Sequence, residues 1–292
     1  VTTNQITSQV AAMVINGMWA TTEPVPLAVQ ASAIDSLEPA YSCPASAALF
    51  NGIKSFDNPV WKAHLAAAAP LYEVLDDISG VPANDRDFHI WLDHYYDNLS
   101  ARQCHGYPLP CKLADGSKNS SSAAACVTQA LADEVYRFGH WEYSRLYRDE
   151  REGLAGSVAS IGVWIAEVAQ HLRDVKDGRA GAVRWRHNVA HDGSMARVLS
   201  VLQVEEMVWP GMGTEVVFEV WKGKKECGKK RRIKSESGFY VRVLFSGRVL
   251  RSSNPSLGVM DMLPVETLLA YFDGLVGERA ALVRGLCNAT SS

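Results

Sequence analysis

Apolar residues recur at helical spacing through most of the first 180 positions and at alternating spacing only later. Thr3 to Met18 has a helical pattern, and helices are predicted over 45–75, 85–102, 127–148 and 157–173. The last of these is the clearest, because Val158, Ile161, Ile165, Val168 and Leu172 fall three and four apart and form one stripe against a polar reverse. Short β-prone runs are predicted as strands at 24–30, 184–190, 214–221 and 239–245, the last two forming a hairpin, and a helix opens at Pro264 and runs to about Val276. The Ser-, Gly-, Asn- and Lys-rich stretch 113–124 is a loop, and no internal repeat is present.

These elements describe an α/β protein: a central sheet flanked by helices with a mostly helical insertion. Residues 1–42 and 181–292 form the expected α/β core, and 43–180 the helical insertion and cap, within which helix 157–173 flanks the core. A chain of 292 residues with 47% hydrophobic content buries a sizeable core. The net charge of −3 argues against a dedicated nucleic-acid partner. No run of about 18 apolar residues reads as a transmembrane segment, and Val1-Thr2-Thr3-Asn4 has neither the basic nor the apolar region of a signal peptide.

Chemistry concentrates in Arg184-Trp185-Arg186-His187-Asn188-Val189-Ala190-His191-Asp192-Gly193-Ser194-Met195, where a strand-like run meets a helix. Free amides at a helix start hold anions, so His191, Gly193 and Ser194 are candidate phosphate contacts. An isolated His-Asp pair is more often a satisfied strand end. Here it is followed by Trp209-Pro210-Gly211-Met212-Gly213-Thr214-Glu215-Val216-Val217-Phe218-Glu219-Val220-Trp221 and by Tyr240-Val241-Arg242-Val243-Leu244-Phe245-Ser246-Gly247. This ordered series, with Gln103-Cys104-His105-Gly106-Tyr107-Pro108-Leu109-Pro110-Cys111, resembles the histidine acid phosphatases, branch two of the histidine phosphatase superfamily, across residues 1 to about 287.

The resemblance implies hydrolysis of phosphate monoesters through a phosphohistidine. In such a reaction an imidazole attacks phosphorus, cations hold the oxygens and an acid protonates the leaving alkoxide. His191 then donates to a phosphoryl oxygen and Asp192 supplies the leaving-group proton, a role suited to acidic pH. The family's opening Arg-His-Gly-x-Arg-x-Pro motif, with its nucleophile, does not occur here, and His187 lacks its context. Val1 and Thr7 stand where arginines are expected. The chain therefore reads as the C-terminal portion of the fold, inactive alone, whose partners are a phosphate monoester or phosphate and a companion polypeptide carrying the missing segment. The alternative is a non-catalytic, phosphatase-derived structural or ligand-binding glycoprotein. No cofactor and no metal is implied.

Six cysteines allow fifteen pairings. The resemblance suggests Cys43 with Cys287; Cys111 with Cys126 closes a short polar loop, and Cys104 with Cys227 remains. With acceptor sequons at Asn98, Asn119 and Asn288, they favour a secreted, lysosomal or vacuolar location. His89 and His94 are five apart, unsuited to one helical zinc site. The basic run 222–232 reads as a solvated hairpin loop. Trp141, Tyr143, Tyr147 and Trp164 read as helix-packing aromatics, with the floor of a substrate pocket as the alternative.

Overall fold

The computed structural model describes residues 1–20, 25–39, 41–112, 125–223 and 235–289. The fold is helix-rich with a small antiparallel sheet flanked by helices, an α/β arrangement compatible with that of the histidine phosphatases. Its axis is helix α6 (Arg151–Lys176), which packs against α2 (Pro44–Ile53), α7 (Asp192–Val201), α8 (Val265–Val276) and α9 (Val283–Asn288). The predicted stripe is the reason: Val158, Ile161, Ile165 and Leu172 are all buried. Small residues let neighbours approach closely, since a Cβ at Gly156 would meet the Phe50 ring at 2.9 Å and one at Gly162 would meet Val283 at 2.7 Å. By length and mean hydropathy (1.2) α6 alone among the described helices reaches the range of a membrane span, which the sequence reading had not singled out. Within the fold 61% of that window is buried, as in a core helix.

The sheet is built on strands β1 (Val216–Lys222) and β2 (Phe239–Phe245), paired antiparallel from Val216 opposite Phe245 to Lys222 opposite Phe239. The short strands β3 (Arg248–Val249) and β4 (Leu263–Pro264) also pair with β2, and α8 packs against it. Residues 224–234 of the loop joining β1 to β2, with most of the basic run, lie outside the described residues.

The helices expected over 45–75 are α2 and α3 (Pro59–Ser79), parted because a residue before proline is pushed from helical geometry and Asn58 caps a new start by accepting from the Val60 and Trp61 amides. Two expectations need correction. The helix expected from 85 begins at Asp93 as α4 (Asp93–Cys104), after a 3-10 turn at Phe88–Ile90. The runs at 25–30 and 184–190 are extended but join no ladder among the described residues. The first is tied to the chain start, where the Val1 amine donates to Ala28 and the Gln30 amide donates to Val1, and to Ser36 through the Gln30 side chain. Extended residues need a partner edge to become a strand, and Val25, Val29, Val183 and Trp185 are left exposed.

Cys43 is bonded to Cys287 and joins the start of α2 to α9; Cys111 is bonded to Cys126. Cys104 is an exposed thiol. Its expected partner Cys227 lies outside the described residues, as does Asn119. Asn98, on α4, and Asn288, at the end of α9, are exposed.

Candidate functional site

The site forms where α7 begins. His191 is its N-cap, in extended geometry, and Asp192 is the first helical residue, so the adjacent side chains leave the turn in different directions. The Asp192 carboxylate receives three donors: Gly193 N–H at 2.8 Å on Oδ1, and the Tyr143 hydroxyl at 2.8 Å and Trp209 Nε1 at 2.6 Å on Oδ2. Tyr143 comes from α5 (Gln129–Ser144) and Trp209 from the loop after α7.

Trp209 is held as firmly as the carboxylate it binds. Its ring is stacked between Tyr96 and Tyr143, each centroid 4.0 Å away, and its backbone amide donates to His140 Nδ1 at 3.1 Å. Gly139 makes room for this stack, because a Cβ there would meet Tyr96 at 2.5 Å and Trp209 at 3.1 Å. Trp91 continues the wall, 6.0 Å from Trp209, and carries the Lys54 ammonium 3.6 Å above its ring. Burial lowers the Lys54 pKa, against the opposing pull of Asp93 and Glu142.

Asp93 and Asp97, one turn apart on α4, stand near enough to feel the Asp192 charge. Asp97 is pushed up to about 6, first by desolvation and then by the like charges of Asp192 and Asp93, with His94 opposing. Asp93 is also raised, mainly by burial. The arrangement is thus one carboxylate anchored among stacked aromatic rings, with two neighbouring acids, one of which holds a proton at mildly acidic pH, and an ammonium over Trp91.

The expected phosphate contacts are partly engaged within the protein. His191 Nε2 lies 3.2 Å from Glu38 Oε2, close enough for ion pairing though not aligned for a hydrogen bond. Ser194 is buried and its hydroxyl donates to the Leu37 carbonyl at 2.6 Å, while the Gly193 amide is taken by Asp192. Arg197, one turn further along α7, donates to the Gly193 carbonyl at 2.9 Å, lies over the Phe50 and Tyr147 rings, and has an Nε without a hydrogen-bond partner. Thr7, where an arginine was expected, is buried at the start of α1 (Gln5–Trp19) and donates to the Asn4 carbonyl at 2.7 Å. His187 lies close enough to the Val1 ammonium for that charge, with burial as the larger cause, to depress its pKa.

Sequence reasoning singled out His191 and Asp192 and raised Tyr143 as a possible pocket residue. It missed Asp93, Asp97, Lys54 and Arg197. The helical spacing of Asp93 and Asp97 beside Tyr95 and Tyr96 was the available signal for the acids. Elsewhere, His89 Nε2 pairs with Asp76 at 3.0 Å and His94 packs on Phe88, so those histidines serve separate contacts.

No protein-family model matches the chain. Over 163 residues, 53% of its length, it is 29% identical to the protein named 2-phosphoxylose phosphatase 1 of Danio rerio. The chain spans about a third of the length of that curated relative, 31%.

Proposed function

We propose that this chain is the C-terminal portion of a histidine acid phosphatase-type phosphomonoesterase and turns over no substrate without a companion segment. The carrying observation is the Asp192 carboxylate, fixed at the start of α7 by Tyr143 and Trp209. The similarity to a protein named as a phosphatase supports the same reading. In it, Asp192 protonates the leaving alkoxide, His191 donates to a phosphoryl oxygen once an anion displaces Glu38, and α7 contributes its N-terminal dipole. The substrate is a phosphate monoester, and the nucleophilic histidine comes from the companion. The extended run at 184–190, which joins no ladder among the described residues, offers that segment backbone to add to. The division into an α/β core (1–42 and 181–292) and a helical cap (43–180) belongs to the same proposal.

The two disulfides fit an oxidising compartment, and we place the protein outside the cell or in a lysosome or vacuole, glycosylated at one or more of Asn98, Asn119 and Asn288. A second reading, a non-catalytic phosphatase-derived glycoprotein, is favoured by the Glu38 carboxylate beside His191 and by the buried Thr7. Hydrolysis of p-nitrophenyl phosphate at roughly pH 4 to 6 separates the readings. The purified chain is expected to be inactive, having no nucleophile, and to gain turnover when a polypeptide bearing Arg-His-Gly is added. Robust turnover by the chain alone overturns the companion model. No turnover with the companion bound favours the second reading.

A further inference from the structure

Away from Asp192, α3 and α5 enclose a surface cavity of about 450 Å³. None of its lining residues touches Asp192. It exists because α3 presents alanines, Ala63 and Ala67, one turn apart where α5 presents Phe138 and Trp141, leaving a trough between the helices. Its walls are apolar. At the floor lies His64, only 4% of its side chain exposed, stacked on Trp141 at 4.2 Å with the rings 13° from parallel. Nε2 of His64 is 2.8 Å from Oε1 of Glu142, a fully buried carboxyl that also accepts the Leu92 amide. Nδ1 makes no hydrogen bond among the described residues, yet it is not sealed from solvent. Arg137 stands at the rim, its side chain 74% exposed and its ion pair with Glu134 long at 3.5 Å.

We infer that this cavity is a binding site for a small aryl carboxylate, whose ring lies against Ala63, Ala67, Phe138 and Trp141 while its carboxylate meets Arg137 and His64 Nδ1. A cavity of this size is in the range that takes small ligands, apolar with a few convergent polar groups. A well-packed apolar pair would hold α3 to α5 at least as well as a buried His–Glu pair. Burial raises the Glu142 pKa, so its carboxyl keeps the proton and donates it to His64 Nε2, which leaves the ring's own hydrogen on Nδ1 as a donor at the bottom of an otherwise greasy trough. That nitrogen suits a ligand with an acceptor atom better than the apolar side chains of a docked helix, and the guanidinium at the rim selects an anion.

The test is calorimetric titration of the full chain with naphthalene-2-carboxylate, beside the neutral naphthalene-2-methanol. Saturable one-to-one binding is expected, tenfold or more tighter for the carboxylate, with the His64 ring resonances shifting on saturation. Ala67→Leu fills the trough and removes binding. Arg137→Gln weakens the carboxylate about tenfold and leaves the alcohol unaffected. Both positions are exposed, so unchanged melting of each variant shows that the fold is intact. Binding without saturation, equal affinity for acid and alcohol, or binding that survives Ala67→Leu overturns the assignment. So does a concentration-dependent dimer that Ala67→Leu dissolves while the naphthoate fails to bind, which identifies the trough as an interface between copies.

Discussion

Trp209 Nε1 donates to Asp192 Oδ2 at 2.6 Å from a ring clamped between Tyr96 and Tyr143. The hydrogen bond sets the carboxylate and the stack sets the hydrogen bond. Trp209→Phe keeps an aromatic ring in the clamp but removes the donor, and a bond to a charged acceptor is worth about 1.5–3 kcal/mol. Urea unfolding is expected to show a loss of about 2 kcal/mol, with a similar loss for Tyr143→Phe. The double variant should lose more than the sum, because either donor alone still satisfies the shared oxygen and only the pair of changes leaves it without both. Strict additivity would mean that the two donors act on Asp192 independently.

Gly139 tests whether the stack depends on close approach to α5. Alanine in a helix interior gains up to about 1 kcal/mol over glycine, whereas forcing extra volume into a packed site typically costs about 1–3 kcal/mol. With Tyr96 2.5 Å from the added Cβ, the clash is expected to win and Gly139→Ala to be destabilising. A variant at least as stable as the parent would show that the Tyr96 and Trp209 rings shift freely.

What the sequence revealed of this site follows the range of its contacts. His191 and Asp192 were legible because a helix start is a local event, written in consecutive residues. The alternation in Val216–Lys222 and Phe239–Phe245 likewise announced a hairpin, and the three-and-four spacing along α6 announced its buried face. Tyr143 and Trp209 reach Asp192 across 49 and 17 positions, and nothing in their own neighbourhoods distinguishes them from packing aromatics. The runs at 25–30 and 184–190 have strand-like composition, but a strand is completed by its neighbour. Periodicity cannot report whether that neighbour is there.

Asp97 gives the protein a pH signature. Its folded pKa, about 6, lies above the ordinary carboxylate value of 3.8. The native state therefore holds the proton more tightly than the unfolded chain, and its stability falls as pH rises from about 4 through 6. Since Asp97 is partly open to solvent, the effect is discounted for screening to about 1 kcal/mol. Asp97→Asn is expected to melt on the order of 2 °C higher than the parent at pH 7.5 and to match it near pH 4. A parallel offset at both pH values would assign the gain to something other than this titration.

Cys43 and Cys287 close the chain over 244 positions, and linking residues so far apart removes much of the unfolded chain's freedom. Non-reducing peptide mapping is expected to recover Cys43 with Cys287 and Cys111 with Cys126. Replacing the first pair by serine should lower stability by about 2–5 kcal/mol. Material from the native source is expected to carry glycan on exposed Asn98 or Asn288, or on Asn119. A free thiol at Cys287 together with unmodified sequons would point to a reducing compartment.

Anion binding at α7 is decided by a competition that Glu38 sets up. Its carboxylate lies 3.2 Å from His191 Nε2, where a phosphate oxygen would have to sit. The Gly193 amide and Ser194 hydroxyl are engaged internally, which leaves Arg197 and the helix dipole as the remaining attraction. Millimolar affinity for phosphate or tungstate follows. A ligand at a hundredfold its dissociation constant stabilises by about 2.7 kcal/mol, so binding is readable as a thermal shift at high concentration. His191→Ala is expected to abolish the shift with little change in the unliganded melting point, because the imidazole is partly exposed. Glu38→Gln should do the opposite, freeing His191 and tightening binding several-fold. If the shift survives His191→Ala, or Glu38→Gln leaves it unchanged, His191 is not an anion ligand and the non-catalytic reading is the better one.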